Sequence, residues 1–346
     1  MNLQSKTIDF LRFPMMVMIV FIHIGISKRC DNSIVTTTYT LFSQILSRIG
    51  VPLFFVFSGY LFFFSKDDKQ TTFTKNIYLY KLKKRTKTLL VPYLFWNALM
   101  IVFVLIMQKT TLFLPYNHLS IHSLKDFLLC FFDRGTDEPI LFQFWFVRDL
   151  MILCVLSPIV YFLIRYLKLL PIMFFLLVWF LGLNDIGIKV FERQAICFFF
   201  LGAYLSINKK DMVNIARKFS FYSVFAYLMM IIVVLFYKGQ YNVYFNRLSI
   251  IVGMIAVLYV VSSLIEKDKV HSDTTLSQMS FFLFAIHTFM LQYIQVVLTN
   301  ILPHNNFFIL LIYFISVIIT IIVSIGLFKF FKHFFPCMLS IMIGQR

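Results

Sequence analysis

The sequence predicts an all-α integral membrane protein, and three observations support this fold class. Hydrophobic residues make up 60% of the 346 residues and charged residues only 14%, whereas a soluble domain is about half apolar and about a quarter charged. Mean hydropathy is +0.85. Ten apolar stretches approach the roughly 20 residues that a helix needs to cross the hydrocarbon core of a bilayer.

We expect about ten transmembrane helices in a single domain over residues 1–346, with no appended soluble domain. The predicted spans are residues 8–27, 44–65, 88–108, 144–165, 169–185, 193–208, 219–238, 247–264, 276–300 and 307–330. The first is too long for a signal peptide and no small-residue cleavage site follows it, so we expect it to be retained. Residues 123–132 are too short to span, and we predict an interfacial helix there.

Basic residues are distributed unevenly over the predicted loops. With the N-terminus in the cytoplasm, roughly twenty lysines and arginines fall on cytoplasmic segments and roughly nine on outer segments, as the positive-inside rule requires. We therefore predict that both termini are cytoplasmic. The same distribution accounts for the net charge of +17, so we expect the lipid bilayer, and not nucleic acid, as the partner of this charge.

The five cysteines are scattered along the chain. Their spacing matches neither a disulfide framework nor a zinc site, and small apolar packing is the simpler explanation for them. We therefore expect no metal and no permanently bound cofactor.

Two ionisable residues share one face of the first predicted span. Arg12 and His23 are eleven residues apart, so at about 100° per residue they return to nearly the same face, roughly 16 Å apart along the axis. Asp9 is placed to pair with Arg12. A neutral imidazole such as His23 can take a proton from a hydroxyl. Alternatively, Arg12 anchors the helix end and His23 forms an interhelical hydrogen bond.

Three further ionisable residues lie inside or at the edge of predicted spans. Arg48 opens the second span and Arg148 lies one turn into the fourth, so both fall in the outer half of the bilayer with His23. Such a basic pair can hold a polar acceptor or a developing negative charge, or it can anchor helices at the interface. His287, near the middle of the ninth span, is either a second proton-handling group or a hydrogen-bonding group of the bundle.

A basic run precedes the third predicted span. Its members are Lys81, Lys83, Lys84, Arg85 and Lys87. Such a run sets topology or contacts anionic lipid, or it forms a phosphate-binding mouth for an anionic ligand. The run alone leaves both interpretations open.

Several of these residues belong to motifs that resemble the membrane acyltransferase-3 family. The matching segments are Ile8-Asp9-x-x-Arg12 followed after ten residues by His23, Arg48-x-Gly50-Val51-Pro52-Leu53-Phe54-Phe55-x-x-Ser58-Gly59-Tyr60, Phe144-Trp145-Phe146-Val147, and Ser280 to His287. The pattern covers nearly the whole chain and is most similar to the stand-alone branch that modifies surface polysaccharides. One position departs from it: the family often has Arg-x-x-Arg before the third span, where this chain reads Arg85-Thr86-Lys87-Thr88 and so lacks a second guanidinium.

The resemblance implies transfer of an acyl group, commonly acetyl, from a cytoplasmic acyl-CoA such as acetyl-CoA to a hydroxyl of an envelope polysaccharide or its lipid-linked precursor. It implies that His23 and Arg12, on the same helix face, are the catalytic residues, with His23 as the general base. The residues expected at the acceptor or the oxyanion are Arg48, Arg148, Ser58 and His287, and those expected at the donor are Lys84, Arg85 and Lys87.

Buried charges also occur in polysaccharide exporters and secondary transporters with a central polar cavity. Such transporters often have paired halves and spans broken by glycine or proline, and this sequence shows little of either. We therefore expect an enzyme of the bacterial cytoplasmic membrane, whose oligomeric state the sequence leaves open.

Overall fold

A computed structural model describes residues 2–25, 33–65, 73–109, 121–133, 138–183 and 192–344. Every regular element in these ranges is helical, which confirms the all-α class. The α-helices are α1 (Leu3–His23), α2 (Ser33–Tyr39), α3 (Gly50–Phe63), α4 (Lys75–Arg85), α5 (Val91–Met107), α6 (Leu124–Leu129), α7 (Trp145–Val155), α8 (Ser157–Leu167), α9 (Leu170–Leu181), α10 (Arg193–Ile207), α11 (Met212–Phe236), α12 (Asn242–Glu266), α13 (Thr274–Ile301), α14 (Asn306–Phe334) and α15 (Pro336–Ile343).

Two pairs of helices are continuous through irregular turns that precede a proline. α2 runs into α3 through a π-helical turn (Thr40–Leu46) and a 3-10 turn (Ser47–Ile49), and α4 runs into α5 through a π-helical turn (Thr86–Leu90). A proline ring clashes with the carbonyl four residues earlier in a regular helix. For Pro52 and Pro92 that carbonyl falls in the 3-10 turn and in the second π-helical turn, so the irregular winding accommodates each ring.

Six helices of the described chain are long and apolar enough to cross a membrane. They are Ser33–Phe63, Lys75–Met107, Met212–Phe236, Asn242–Glu266, Thr274–Ile301 and Asn306–Phe334. A seventh candidate is the pair α7 and α8, which is long and apolar enough only if both helices form one span. The pair is bent by 64° at Leu156, so such a span would be broken there. The proline at the second position of α8 cannot continue the hydrogen bonding of α7, so the predicted continuous span over 144–165 is interrupted.

The predicted count of ten spans is therefore not confirmed. α1 carries Lys6, Asp9 and Arg12 within its 21 residues, and α9 and α10 have only 12 and 15 residues. The predicted span over 169–185 ends outside the described residues. The assignment of both termini to the cytoplasm stays a prediction.

The segment predicted at the interface contains the short helix α6. Ser123 caps it by accepting a hydrogen bond from the Asp126 N–H at 3.1 Å, and the Asp126 carboxylate accepts from the N–H groups of His122 and Ser123 at 3.0 Å each. These hydrogen bonds, first that from His122, hold the pKa of Asp126 below its usual value. Leu124 and Leu128 are exposed on one face, as in a helix that lies along a membrane surface.

α3 and α10 pack in unusually close contact through two glycines. A Cβ added to Gly59 would overlap the Phe199 carbonyl oxygen, and one added to Gly202 would overlap the Val56 carbonyl oxygen. Small residues permit such close approach of helices in membranes. Gly59, which follows Ser58 in the matched motif, is therefore explained by packing.

α1 and α13 are parallel neighbours joined by three polar contacts. Arg12 donates to the Ser277 hydroxyl at 3.0 Å, the rings of His23 and His287 have centroids 5.1 Å apart, and Gln295 donates to the Gly25 carbonyl at 2.6 Å. The residue numbers rise together along both helices, which fixes their register. This pairing positions every ionisable group predicted on α1.

The α3–α10 contact generates a stability prediction. Replacing Gly202 by Val should destabilise the protein by about 3 kcal/mol, because the new side chain meets backbone atoms that cannot move aside. The measurement is the thermal unfolding midpoint of the purified protein in detergent. Gly326→Val is the matched control, since nothing lies within 4 Å of a Cβ built there. Equal midpoints for the two variants would contradict the predicted packing constraint.

Candidate active site

A cavity of about 1880 Å³ opens among the ends of several helices. Its rim contains the N-terminal halves of α1 and α13, the C-terminal ends of α3, α8 and α10, and α4. The loop-charge distribution assigns all of these chain segments to one side of the membrane. The structure brings them together at one end of the molecule.

The mouth of this cavity is cationic. Among the described lining residues, six are basic and two acidic: Arg12, Lys81, Lys84, Arg85, Arg165 and Lys209, with Asp9 and Asp211. Charges of one sign lining a cleft attract ligands of the opposite sign. The mouth therefore suits an anionic ligand.

Two of the mouth cations are fixed by hydrogen bonds. Arg12 lies 2.9 Å from the Asp9 carboxylate, as the sequence spacing predicted, and the same guanidinium nitrogen donates to Ser277. Lys81 donates to the Phe62 carbonyl and, at 3.2 Å, to the Phe64 carbonyl. These carbonyls belong to the end of α3, where helix carbonyls have no partner within the helix. Lys81 therefore ties α4 to α3.

Of the three residues predicted to hold the donor, two line the cavity and one does not. Lys84 and Arg85 line the cavity, and the Arg85 guanidinium lies 5.9 Å from the centroid of the Phe62 ring. Lys87 is exposed and is not among the residues that line the cavity. It lies in the π-helical turn that leads to Pro92, two residues after Arg85, a spacing at which side chains do not share a helix face.

Further in, the cavity wall is largely aromatic. Its inner part is lined by Met16, Ile19, Phe54, Phe57, Ser58, Phe146, Ser280 and Phe284. Ser58, predicted at the acceptor, thus lies on the wall of this cavity. The inner lining residues on α1 and α13 reach Ile19 and Phe284, each about one helical turn before a histidine.

The two histidines lie side by side just beyond this inner end. The centroids of the His23 and His287 rings are 5.1 Å apart, and the Phe142 ring lies 5.2 Å from His23. His287 is fully buried, and its Nδ1 is 2.8 Å from the Phe284 carbonyl oxygen. His23 is partly exposed, although it does not line the cavity. It therefore lies just behind the inner end of the cavity wall.

Arg48 lies on the same side as the histidine pair. It donates to the Gln44 side-chain oxygen at 2.7 Å and is otherwise exposed. Its predicted place beside His23 at the acceptor stays a prediction.

Arg148 forms a buried ion pair that joins segments of the fold. It is buried, lies 3.0 Å from the Asp149 carboxylate and donates to the Phe132 carbonyl at 2.8 Å. Asp149, also buried, accepts the Glu192 N–H at 3.0 Å. These contacts tie α7 to the segment after α6 and to the start of α10, and Arg148 does not line the cavity. Its predicted contact with an acceptor stays a prediction.

Sequence reasoning missed Asp149 and Ser277 as partners of the intramembrane arginines. Asp149 had a detectable signal, because an acid beside a base inside an apolar span indicates a neutralising pair. Ser277 had none, since a serine near a helix start is common and its partner is 265 residues away. Within the described residues, no three His, Cys, Asp or Glu side chains are grouped as a metal site.

Comparison with known proteins identifies the family. Residues 5–329 match the family Acyl_transf_3, described as an acyltransferase domain. The chain is 25% identical over 219 residues to the succinoglycan biosynthesis protein ExoH of Rhizobium meliloti (strain 1021), a match that covers 62% of this chain and 57% of that protein. No solved structure matches the chain. Because the match to the family extends over nearly its whole length, the chain belongs to the acyltransferase-3 family, and its long apolar helices are those of a multi-pass membrane protein.

Proposed function

We propose that the protein transfers an acyl group, commonly acetyl, from cytoplasmic acyl-CoA to a hydroxyl of an envelope polysaccharide or its lipid-linked precursor. One observation carries this proposal: a cavity with a cationic mouth and an aromatic interior ends about one turn from a pair of histidines. The bacterial cytoplasmic membrane is the compartment in which such a donor and such an acceptor meet.

The cavity has the chemistry of an acyl-CoA site. Acyl-CoA combines an anionic, phosphate-bearing nucleotide with a long thin arm that ends in the thioester. Arg12, Lys84 and Arg85 supply charge for the nucleotide phosphates at the mouth. The arm then lies along the aromatic wall towards His23, which is roughly 16 Å from Arg12 along α1. The thioester thereby reaches the histidines while the nucleotide stays at the mouth.

In this proposal the acceptor approaches His23 from the side away from the cavity. The succinoglycan-related protein is named for the biosynthesis of a polysaccharide, and a polysaccharide or its lipid-linked precursor offers many hydroxyls of the required kind. Arg48, which is exposed and is predicted to lie in the same half of the bilayer as His23, can hold a sugar oxygen. Donor and acceptor thus arrive at His23 from different directions.

The proposed reaction uses His23 as a general base. The His23 nitrogen takes the proton of the acceptor hydroxyl while the oxygen attacks the thioester carbonyl carbon. The tetrahedral intermediate collapses, the carbon–sulfur bond breaks, and the leaving thiolate takes the proton from the His23 imidazolium. The products are the O-acyl ester and free CoA, and His23 returns to its initial state. The positive charge of Arg48 favours the negative charge that develops on oxygen.

Removal of the proposed base is the first test. His23→Ala should lower acyl transfer about 100- to 10,000-fold, the usual contribution of a general base, with little change in protein level. Alkali-labile acyl esters on the cells' glycan, scored by mass spectrometry, measure this. His304→Ala is the control, because His304 is exposed. Unchanged esterification in the His23 variant at matched protein level would refute the catalytic role.

Release of CoA separates the enzyme from an exporter. Purified protein in detergent should release free CoA from acyl-CoA when the glycan acceptor is present, whereas an exporter or secondary transporter should release none. The release is followed with a thiol reagent.

The mouth generates a prediction about donor affinity. Arg85→Gln should raise the KM for acyl-CoA about 10- to 100-fold, as expected for loss of a charge-assisted hydrogen bond to phosphate, and should leave the KM for the acceptor unchanged. Lys87→Gln removes the same charge two residues away but outside the cavity, so its KM should stay close to that of the wild type. Equal increases in both variants would indicate a general field effect and would contradict a binding site at the mouth.

A further inference from the structure

The hydrogen bonding of His287 defines where its ring carries a proton. Its Nδ1 lies 2.8 Å from the Phe284 carbonyl oxygen. A carbonyl only accepts hydrogen bonds, so Nδ1 bears the hydrogen and, in the neutral ring, Nε2 is left with a lone pair. His287 therefore presents an acceptor, and not a donor, on its other side.

That acceptor is buried and has no partner. The His287 side chain is fully inaccessible, and its Nε2 makes no hydrogen bond within the described structure. A buried polar atom without a partner costs free energy, and such atoms in folded proteins call for an explanation. The missing partner must donate a hydrogen.

The His23 ring is placed to provide this hydrogen. Its centroid is 5.1 Å from that of His287 and the planes are inclined by 52°, a spacing at which a nitrogen of one imidazole reaches a nitrogen of the other after a modest side-chain rotation. A neutral His23 has one N–H and one lone pair. If the N–H is directed at His287, the lone pair is directed away from it.

We propose that His287 is a positioning residue: its Nε2 accepts the N–H of His23, selects one tautomer of His23 and directs the free lone pair of His23 towards the acceptor hydroxyl. This inference rests on the proposed function in so far as His23 is the base. It places His287 behind His23, where it contacts neither donor nor acceptor.

The pairing leaves the proton balance of the reaction unchanged. When His23 takes the hydroxyl proton on its free nitrogen, it becomes an imidazolium that still donates its other N–H to the neutral His287. When the CoA thiolate takes that proton back, the original tautomer is restored. His287 keeps its own Nδ1 hydrogen and its hydrogen bond to Phe284 throughout, so it stabilises the imidazolium without being protonated.

Two substitutions at position 287 separate an acceptor from a packing group. His287→Leu fills the space without an acceptor, whereas His287→Gln places an amide oxygen near the position of Nε2. We expect the Leu variant to lower kcat for CoA release about 10- to 100-fold, the usual effect of losing a group that orients a histidine, with the KM for acyl-CoA unchanged. The Gln variant should recover most of the rate.

A spectroscopic measurement on the full chain is independent of activity. Protein labelled with ¹⁵N in its histidine rings and placed in lipid nanodiscs should show His287 protonated at Nδ1 and His23 as a single tautomer. The signals missing from the His23→Ala sample identify His23. In His287→Leu the His23 nitrogens should shift towards a mixture of tautomers, and His304→Ala should leave them in place.

The outcomes are distinguishable. Wild-type protein that releases no CoA refutes the proposed function, and the nitrogen shifts then still decide whether the rings are paired. Active wild-type protein with an equally fast Leu variant, or with a Gln variant as slow as Leu, overturns the positioning role. If the Leu variant does not fold, the wild-type spectrum decides, and a His287 protonated at Nε2 overturns the proposal.

Discussion

The parallel pairing of α1 with α13 is the constraint on which the site depends. Arg12 is bound to Ser277 at one end of the pair, and His23 lies against His287 near the other. Eleven residues of α1 separate the two contacts, which amounts to roughly 16 Å. Because both ends are held, the distance between the cationic mouth and the histidines is set by the helix rise and does not depend on loop conformation.

The other helices shape the space beside this pair. α3 lines the cavity and is pressed against α10 through Gly59 and Gly202, while Lys81 binds the carbonyls at the end of α3. The Arg148–Asp149 pair also holds helices together, because it joins α7 to the segment after α6 and to the start of α10. Since the two charges neutralise each other, no isolated charge is left in the apolar interior. Ionisable groups in this bundle thus serve as structural ties as well as forming the proposed reactive centre.

The sequence predicted what depends on composition and on the period of a single helix. Helix class, the shared face of Arg12 and His23, and the Asp9–Arg12 pair follow from hydropathy and from 3.6 residues per turn. Hydropathy alone overlooked the break at Leu156 and the charges that set α1 apart from an ordinary span. Regular winding would have left Lys87 near Lys84, three residues earlier, but Lys87 lies in the π-helical turn before Pro92, where the winding differs. The neighbours of His23 and Arg12 on α13 are more than 260 residues away, and no local pattern encodes such a contact.

The shape of the cavity favours an enzyme over a conduit for glycans. A hydroxyl-rich solute crossing the bundle would need polar partners along its path, because each desolvated hydroxyl costs free energy. The inner lining instead consists of four phenylalanines, Met16, Ile19 and two serines, and it ends near Ile19 and Phe284. A thin arm that carries a reactive group at its tip has far fewer hydroxyls to desolvate than a glycan, and it can enter such a space while its anionic part stays among the mouth cations. The histidines then lie where that tip arrives, which is the arrangement that group transfer requires and that passage of a polysaccharide does not.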